Sequence, residues 1–388
     1  MGIYSEYLDR HFSFQDMTAE RKRQLERISE LRDRRDVLVY AADLSKGGQA
    51  PIGITYDDLL PITDQLANLS GRAIDVILET PGGSAEVAED IVKLLRGKYQ
   101  TVSFIVPGTA KSAGTIMVMA GDEILMDARS SLGPIDAQIQ WQGKTFSADA
   151  FLKGLEKIKD EVIEKNFLNR AYIPMLQGIS PGEIQNAENA LKFSEALVSS
   201  WLNRYKFRTW TAHSRTGSPV TEEEKEQRAL EIAKKLCEHG RWLTHARSIK
   251  LQDLEEIGLR ITDYGTNEHL SDAIHRYYAL LQMTFDTNVY KVIETPDSQI
   301  YRFFVQRGAA VPRPQGAAQK VVVEMTCGKC GKQHLLQADF DRRQPLQAGV
   351  KYFPNNDILV CDQCQTAHNL GDLRRQIELQ AKREVVRE

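Results

Sequence analysis

A glycine pair at the end of a predicted strand is the first feature suited to chemistry. Pro81-Gly82-Gly83 follows a mainly apolar run that ends at Thr80. Two residues without side chains let backbone N–H groups approach a ligand closely, and the start of the next helix adds positive potential there. The motif therefore indicates either an anion-binding turn or a plain tight turn.

A serine at a second strand-to-helix junction adds a possible nucleophile. Ser112 starts a predicted helix and is followed by the small residues Ala113 and Gly114. A serine so placed can attack a carbonyl, with the N–H of Ala113 helping to stabilise the oxyanion, or it can simply cap the helix. One helix and one strand separate Gly83 from Ser112, so the two turns are expected side by side at the carboxyl edge of a sheet.

Four of the five cysteines form two Cys-x-x-Cys pairs with thirty residues between them. Four thiolates in tetrahedral reach suit a structural Zn²⁺ with no open position, and free thiols or a redox pair are the alternative. His334 or His368 could replace one cysteine. The remaining cysteine, Cys237, is predicted to be a buried helix residue. The predicted metal ligands are Cys327, Cys330, Cys361 and Cys364.

The charge of the chain is almost balanced. Its 388 residues include 50 Lys and Arg against 53 Asp and Glu, a net charge of −3. No strong field therefore draws the whole chain to a phosphate backbone or an anionic membrane. Residues 320–388 hold eleven basic and nine acidic residues, so the cysteine segment has no evident basic face. Protein recognition or self-association is favoured there over nucleic-acid binding.

The composition of the chain indicates its structural class and its expected cellular location. Apolar residues make up 42% and charged residues 27%, which disfavours disorder, a collagen and a coiled-coil rod. No apolar run reaches the length of a membrane span, and the first residues do not form a secretion signal. Paired cysteines in a reducing compartment favour metal over disulfide. We expect a cytoplasmic protein without a membrane span.

The elements that must position these residues alternate between strand and helix. This alternation predicts repeated βαβ units in a mostly parallel sheet covered on both faces. Before the first strand, an amphipathic helix with Thr18 as its N-cap is expected to dock on another element. Strands are predicted at 37–44, 73–80, 102–107 and 123–127, helices at 56–69, 85–96 and 112–120, and a hairpin turning at Gln142-Gly143.

The sequence divides into five segments. A stretch rich in Ala, Pro and Gly separates the cysteine segment from the rest and is typical of a linker. The predicted segments are a helical arm (1–36), the α/β core (37–265), a helix and hairpin extension (266–306), the linker (307–320) and the cysteine module with a C-terminal helix (321–388).

Several motifs resemble the serine dehydrogenase proteinase family, which is related to signal peptide peptidase A within the ClpP and crotonase superfamily. The resemblance covers about 37–265 and implies an α/β core of the ClpP/crotonase type. The cysteine module, outside that range, resembles a zinc ribbon. The motifs are TPGG (80–83), AKSAGT (110–115), SLGPIDAQI (131–139), GRWLTHARSI (240–249) and LEEIGL (254–259).

By this resemblance Ser112 matches the nucleophile, and the N–H groups of Gly83 and Ala113 match the oxyanion hole. Gly82 helps to shape the same turn. Asp136, in GPIDAQ, matches a family position that we assign to substrate binding. A side chain that closes the turn after a proline is the alternative for Asp136.

The serine needs a base, and the distribution of histidines bears on which residue supplies it. ClpP has a histidine a few tens of residues after its serine, whereas here no histidine lies between His11 and His213. This gap disfavours a Ser-His-Asp triad of the ClpP kind and favours a Ser-Lys dyad, as in signal peptide peptidase A. His245, in RWLTHARSI, is either a distant polar partner or a structural histidine.

Lys153 is the first candidate for the base. It lies 41 residues after Ser112, in the string ADAFLKGLEK, which resembles the lysine-bearing string of the family. A helical wheel places Lys153 nearly opposite the apolar stripe of its helix, which is typical of a solvated lysine. Lys159 and Lys144 therefore remain open as alternatives.

Together these features predict a cytoplasmic serine peptidase that acts through a Ser112–Lys153 dyad and an acyl-enzyme on a protein or peptide substrate. The resemblance implies a homo-oligomer. The zinc module is expected to recognise a partner or the substrate. A non-catalytic oligomeric scaffold with the same core is the alternative, and an acyl-CoA enzyme of the crotonase type is a third, weaker reading because such enzymes need no serine at this position.

Overall fold

The structure of the chain is a computed structural model, which describes residues 2–141, 143–213, 216–304, 319–340, 342–381 and 383–387. It divides into two compact units, Met1–Val305 and Gln306–Glu388. The first unit contains the predicted arm, the core and the extension as far as Val305. The predicted linker, 307–320, lies outside the described residues apart from its last two, and so does the hairpin position Gln142.

The first unit consists of twelve described helices and eleven described strands. The helices are α1 (Ile3–Asp9), α2 (Phe14–Leu31), α3 (Leu59–Ala67), α4 (Ala85–Lys98), α5 (Ala113–Val118), α6 (Ala148–Lys165), α7 (Ile173–Leu176), α8 (Pro181–Trp201), α9 (Glu222–Cys237), α10 (His239–Trp242), α11 (Leu251–Glu256) and α12 (Glu268–Phe285). The strands are β1 (Asp36–Ala42), β2 (Ala73–Glu79), β3 (Thr101–Ile105), β4 (Thr109–Ala110), β5 (Glu123–Met126), β6 (Ser131–Leu132), β7 (Gln138–Trp141), β8 (Lys144–Ser147), β9 (Thr262–Asp263), β10 (Val289–Glu294) and β11 (Gln299–Phe303).

A seven-stranded sheet forms the centre of this unit, in the order β11-β10-β1-β2-β3-β5-β9. The strands from β1 to β9 in that order run parallel, and β10 and β11 continue the sheet in antiparallel pairing. β1 and β2 are buried at every residue but the first, as expected for parallel strands with helices on both faces. The predicted α/β core of βαβ units is confirmed.

Alternate residues of each strand bury themselves on opposite faces of the sheet. Leu38 and Tyr40 of β1 belong to an apolar cluster that includes residues of α3, α4, α5 and α9. Val37 and Val39 belong to a second cluster with α2 and α12. The helices on the two faces therefore fix the sheet, and with it the ends of its strands.

The N-terminal arm is anchored on the extension by a buried ion pair. Arg21 of α2 donates to Glu294 of β10 at 2.9 Å, and both side chains are fully buried. The predicted N-cap, Thr18, is wrong: Ser13 caps α2, and its hydroxyl and the Asp16 carboxylate form a capping box. Ser13 and Asp16 satisfy backbone groups at the helix start that Thr18, a turn later, cannot reach.

The second unit is small and mainly β. Its apolar core includes Leu336, Phe353, Leu359 and Ile377. A three-stranded sheet in the order β12-β13-β14 accompanies a two-stranded hairpin of β15 and β16. The elements are β12 (Lys320–Thr326), β13 (Gln333–Asp339), β14 (Val350–Tyr352), β15 (Ile358–Val360), β16 (Ala367–Asn369) and α13 (Gly371–Ala381).

The helices of the described residues range from four to 21 residues in length. Across the described stretches of the chain, none of them combines the length and apolar character needed to cross a bilayer.

Candidate active site and metal centre

The glycine turn after β2 and the serine turn after β4 are in contact. Thr80 pairs with Ala110 of β4, and the N–H of Lys111 donates to the Thr80 carbonyl at 3.0 Å. A Cβ atom on Gly82 would lie 2.7 Å from the Cβ of Ser112, closer than any two such atoms pack. Glycine is therefore required for this approach, and the structure brings together the two motifs that the sequence singles out.

Ser112 has a strained backbone. Its φ of 50° and ψ of −119° lie outside the regions that residues with a Cβ ordinarily occupy. It occupies the N-cap position of α5, but its side chain makes no capping hydrogen bond. The capping role therefore does not account for this serine. Strain of this kind persists only where surrounding structure enforces it, and it is concentrated at functional sites.

Two backbone donors flank the serine. The N–H of Gly83 and the N–H of Ala113 form no hydrogen bond with another group of the described chain. Gly83 has a φ of 148°, and its neighbours are held in place because Ile54 donates to Gly82 and accepts from Ser84. The contact between Gly82 and Ser112 brings the two turns together, so these N–H groups are candidate oxyanion donors.

Lys111, next to the serine, holds a distant loop. Its ammonium donates to the carbonyls of Ala246 and Arg247, at 3.2 and 2.8 Å, and to the Ser248 hydroxyl at 3.0 Å. Burial, followed by the charge of Lys250, lowers the pKa of Lys111 to about 8. The 246–248 loop is thereby fixed against the serine turn.

Asp136 is fully buried and joins two histidines. One carboxylate oxygen lies 2.7 Å from Nδ1 of His245, and the other lies 2.8 Å from Nδ1 of His239. Burial disfavours the ionised form of Asp136 and by itself would raise its pKa. Hydrogen bonds from His245, His239 and Ser147, together with the charge of His245, outweigh burial and lower the pKa of Asp136. An ionised carboxylate only accepts, so Nδ1 of each histidine is the donor in these two contacts.

This arrangement changes the interpretation of Asp136. Substrate binding is the role expected from the sequence, yet both carboxylate oxygens already bond histidines and the side chain has no exposed surface. Its partners come from α10 and from the loop beyond it, about a hundred residues later in the chain. Asp136 thus has the contacts of a residue that orients histidines.

Lys153, the predicted base, pairs with a neighbour on its own helix. Its ammonium lies 3.0 Å from Asp149, one turn earlier on α6, and 48% of its side chain is exposed. The same Asp149 oxygen accepts the backbone N–H of His239 at 3.2 Å. Among the described contacts none joins Lys153 to Ser112, and the alternatives Lys159 and Lys144 are exposed.

The four paired cysteines converge in the second unit. All four sulfur atoms lie within 4.8 Å of one another, and none is in a disulfide. Tetrahedral Zn–S bonds of about 2.3 Å separate the sulfurs by about 3.8 Å, and the Cys327–Cys364 and Cys330–Cys361 separations are 3.5 and 3.7 Å. These residues therefore fit one metal ion of the size and ligand preference of Zn²⁺.

Two histidines border this cluster. Nε2 of His368 lies 3.1 Å from the Cys327 sulfur, and Nε2 of His334 lies 3.3 Å from the Cys361 sulfur. Backbone N–H groups of Cys330 and Lys329 also lower the pKa of Cys327 to about 5. Donors of this kind stabilise thiolates, the form that binds metal. The histidines are thus placed to support a four-cysteine site without replacing a ligand.

The fifth cysteine is separate from this cluster. Cys237 ends α9, is 8% exposed and forms part of the large apolar cluster of the first unit. Burial raises the pKa of its thiol. The prediction of a buried helix residue is confirmed.

Part of the chain is similar to a family of serine proteinases. Residues 57–176 match the model of the ClpP-like SDH-type serine proteinase family. Two uncharacterized proteins of Methanocaldococcus jannaschii are each 29% identical, over 189 and 197 residues, which are 48% and 50% of this chain and 51% and 54% of the relatives. The chain thus spans about half the length of the curated relatives it matches.

A solved structure gives a weaker match. A mutant of the 1510-N membrane-bound stomatin-specific protease is 18% identical over 46% of this chain and 72% of that chain, with a TM-score of 0.25. A similarity at this level supports no argument about the present chain.

Proposed function

We propose that the chain is a serine peptidase with Ser112 as its nucleophile, because residues 57–176 match the model of the ClpP-like SDH-type serine proteinase family. The observation that carries this proposal is the strained Ser112 turn, which packs on Gly82. A buried helix follows the serine, and the N–H groups of Gly83 and Ala113 have no hydrogen-bond partner among the described residues. The resemblance to serine peptidases and the local geometry point to the same residue.

The proposed reaction is acyl transfer to the serine. The Ser112 oxygen attacks a peptide carbonyl carbon, and the carbonyl electron pair moves onto its oxygen. The N–H groups of Gly83 and Ala113 stabilise that negative charge. Collapse expels the amine and leaves an acyl-enzyme, which water hydrolyses by the same steps.

The resemblance to signal peptide peptidase A adds a Ser112–Lys153 dyad to this proposal. A general base needs a lone pair and access to the serine, and the Lys153 side chain is half exposed and paired with Asp149. Lys153→Met tests the dyad. Lys165→Met is the matched control, because Lys165 is half exposed on the same helix and pairs with Glu161 one turn away. The dyad predicts a loss of acylation only in the first variant.

The second unit supplies a structural metal in this proposal. Cys327, Cys330, Cys361 and Cys364 would hold Zn²⁺, which cross-links two turns of a unit with a small apolar core. We propose that this module recognises a protein partner or the substrate. Reduced cysteines are consistent with a cytoplasmic location, and assembly into a homo-oligomer is proposed from the resemblance.

A fluorophosphonate probe tests the catalytic proposal. Wild type is expected to be labelled covalently, and Ser112→Ala is expected to give no labelling at equal folded concentration. Equal labelling of the two would refute Ser112 as nucleophile. A folded protein that resists every acylating probe would instead support a scaffold, and binding of coenzyme A would favour an acyl-CoA enzyme.

A further inference from the structure

The first strand of the second unit has an open edge. β12 spans seven residues and lies at one end of its sheet, and among the described strands only β13 pairs with it. The strand at the other end, β14, has only three residues. A long edge strand that lacks a bulge or a proline is a template for pairing with another chain, and the register of β12 against β13 is continuous. β12 therefore offers a surface for the addition of a strand.

The ladder between β12 and β13 shows which backbone groups form this edge. The N–H of Phe340 donates to the Gln319 carbonyl at 3.0 Å, and the N–H of Cys327 donates to the Lys332 carbonyl at 2.8 Å. Antiparallel strands exchange hydrogen bonds at every second residue, so the odd-numbered residues of β12 bond β13. The residues that point their N–H and carbonyl groups away from β13 are Lys320, Val322, Glu324 and Thr326.

The side chains of these even-numbered residues alternate in character. Val322 is 42% exposed, and Glu324 is also exposed. The Lys320 ammonium reaches the side-chain oxygen of Gln337 at 3.2 Å and the carbonyl of Pro345 at 3.3 Å. Both acceptors are neutral, so neither contact neutralises the charge of Lys320. Successive even positions of the edge thus carry a cation, an exposed valine and an anion.

This order of side chains is complementary to itself in one antiparallel register. When two copies of β12 run antiparallel with Val322 at the centre, Lys320 of each copy lies opposite Glu324 of the other. Registers centred on Lys320 or on Glu324 place like charges opposite each other, which is destabilising. Unlike charges and a pair of β-branched residues directly opposite each other are stabilising. The charges of the edge therefore favour a second copy of this chain, in a defined register.

We propose that β12 pairs antiparallel with β12 of a second copy of this chain, centred on Val322. Lys320, Val322 and Glu324 then each donate an N–H to the other copy and accept one from it, so two three-stranded sheets become one. Val321 lies opposite Val323 of the other copy, and both residues pack on the apolar core of their own unit. The proposal deepens the proposed homo-oligomer and rests on that part of the proposed function, and it does not require peptidase activity.

The size of this contact sets its expected strength. Two paired strands of seven residues bury less surface than a standard protein interface. The pairing is therefore expected to be weak by itself and to strengthen where the first units already hold copies together, because the effective concentration of the strands is then higher. The test must detect a weak contact and its register.

Zero-length cross-linking of the full chain with a carbodiimide meets both needs, because it joins an amine to a carboxylate only where the two are in contact. Lys320 and Glu324 of one copy are four residues apart on a strand, about 13 Å at about 3.3 Å per residue, so a Lys320–Glu324 amide forms only between copies. An equal mixture of ¹⁴N and ¹⁵N chains is expected to give linked peptides in which one partner carries each isotope.

A proline variant tests whether backbone pairing holds the two copies. Val322→Pro removes an N–H that points away from β13, so the ladder within the unit is retained. It is expected to lower the yield of the link by about 10-fold or more, because one hydrogen bond is lost in each copy. Val360→Pro is the matched control, since Val360 is 48% exposed and its N–H also points away from its partner strand β16. The control is expected to keep the wild-type yield, with zinc content and melting temperature measured for both.

Charge reversal tests the register without a change in the backbone. Chains with Lys320→Glu and chains with Glu324→Lys each place like charges opposite each other in self-pairing, but a mixture of the two places unlike charges opposite each other at both positions. Isotope-labelled mixtures are therefore expected to form links between residues 320 and 324 of unlike chains. Failure of the mixture to link would overturn the register.

The remaining outcomes separate the strand pairing from the homo-oligomer on which it rests. A chain that sediments as a monomer at the concentration used for cross-linking would overturn both. An oligomer without the Lys320–Glu324 link, or with an undiminished link in folded Val322→Pro, would overturn only the pairing. β12 amides that are protected from hydrogen exchange in a wild type without the link would assign the edge to another strand of the same chain.

Discussion

Replacing Gly83 with alanine is expected to slow acylation of Ser112 by about 10²–10³-fold. The proposed role of Gly83 is to donate its N–H to the oxyanion, and this donor needs the unusual backbone of its turn. At a φ of 148° an alanine is strained. Its Cβ would also lie 2.4 Å from both the nitrogen and the oxygen of Ile54.

The size of the effect follows from these distances. To bring atoms 2.4 Å apart to an ordinary contact distance, the turn or Ile54 must shift by about 1 Å. Because Ile54 bonds both Gly82 and Ser84, the turn and its neighbour move together. A displacement of about 1 Å takes an N–H···O contact outside hydrogen-bonding range. Loss of one oxyanion donor costs about 3–4 kcal/mol in the transition state.

The assay compares two Gly→Ala variants. Gly97, near the end of α4, is the control position because a methyl group added there would meet no atom within 4 Å. Gly97→Ala should therefore label at the wild-type rate and be up to about 1 kcal/mol more stable. Labelling rates are measured with the fluorophosphonate probe below each melting temperature. Wild-type labelling by folded Gly83→Ala would refute the assignment of this N–H to the oxyanion hole.

Three other predictions concern strain, pH and metal. Ser112→Gly should be more stable than Ser112→Ala by about 1 kcal/mol in urea unfolding, because glycine relieves the positive φ; equal stability would contradict the strain. Burial raises the pKa of Glu79 from 4.5 to about 7 against an opposing hydrogen bond from Thr109, so its contribution to stability is full below about pH 4.5 and is lost as pH rises through 7. The free energy of unfolding of Glu79→Gln should therefore rise relative to that of wild type by up to about 3 kcal/mol between pH 4.5 and 8. A difference from wild type that does not change with pH would contradict this. Cys361→Ser should reduce bound zinc from one equivalent to none by elemental analysis, and retention of a full equivalent would refute the four-cysteine site.

The elements of the core could be predicted from the sequence because each has a strong local signal. The predicted strand at 73–80 is β2, which ends one residue earlier, and the predicted helix at 85–96 is α4, which runs two residues further. Buried parallel strands are continuous apolar runs, and glycine or proline punctuates their ends. The contact between the two turns was predictable for the same reason, since one βαβ unit fixes their separation.

The start of α2 shows the limit of helical periodicity as a signal. Ser13 and Asp16 form the capping box, but the apolar spacing that identifies the helix begins later, among Leu25, Ile28 and Leu31. Helical periodicity locates a buried face and says little about the residue at which the helix begins. The capping pattern, a serine followed three residues later by an acid, was the available signal.

The position of Lys153 on its helix predicts the surroundings of its side chain. The helical wheel places Lys153 opposite the apolar stripe that includes Phe151 and Leu155 and so predicts a solvated ammonium. In the structure its side chain is half exposed and forms an ion pair with Asp149. A pair at i and i+4 is a property of the helix surface alone. Such a lysine needs another element to desolvate it before it can act as a base.

The cluster around Asp136 could not be derived by spacing, because its members meet only through the tertiary fold. Asp136 lies on the segment after β6, His239 begins α10, and His245 follows in the next loop. No periodicity links them, and the distance in sequence is set by the helical insertion from α6 to α9. The pairing of β6 with the loop at Ile249 brings the segments together. Such a cluster is therefore identified by the strand pairing that joins its segments, and no interval along the chain could have revealed it.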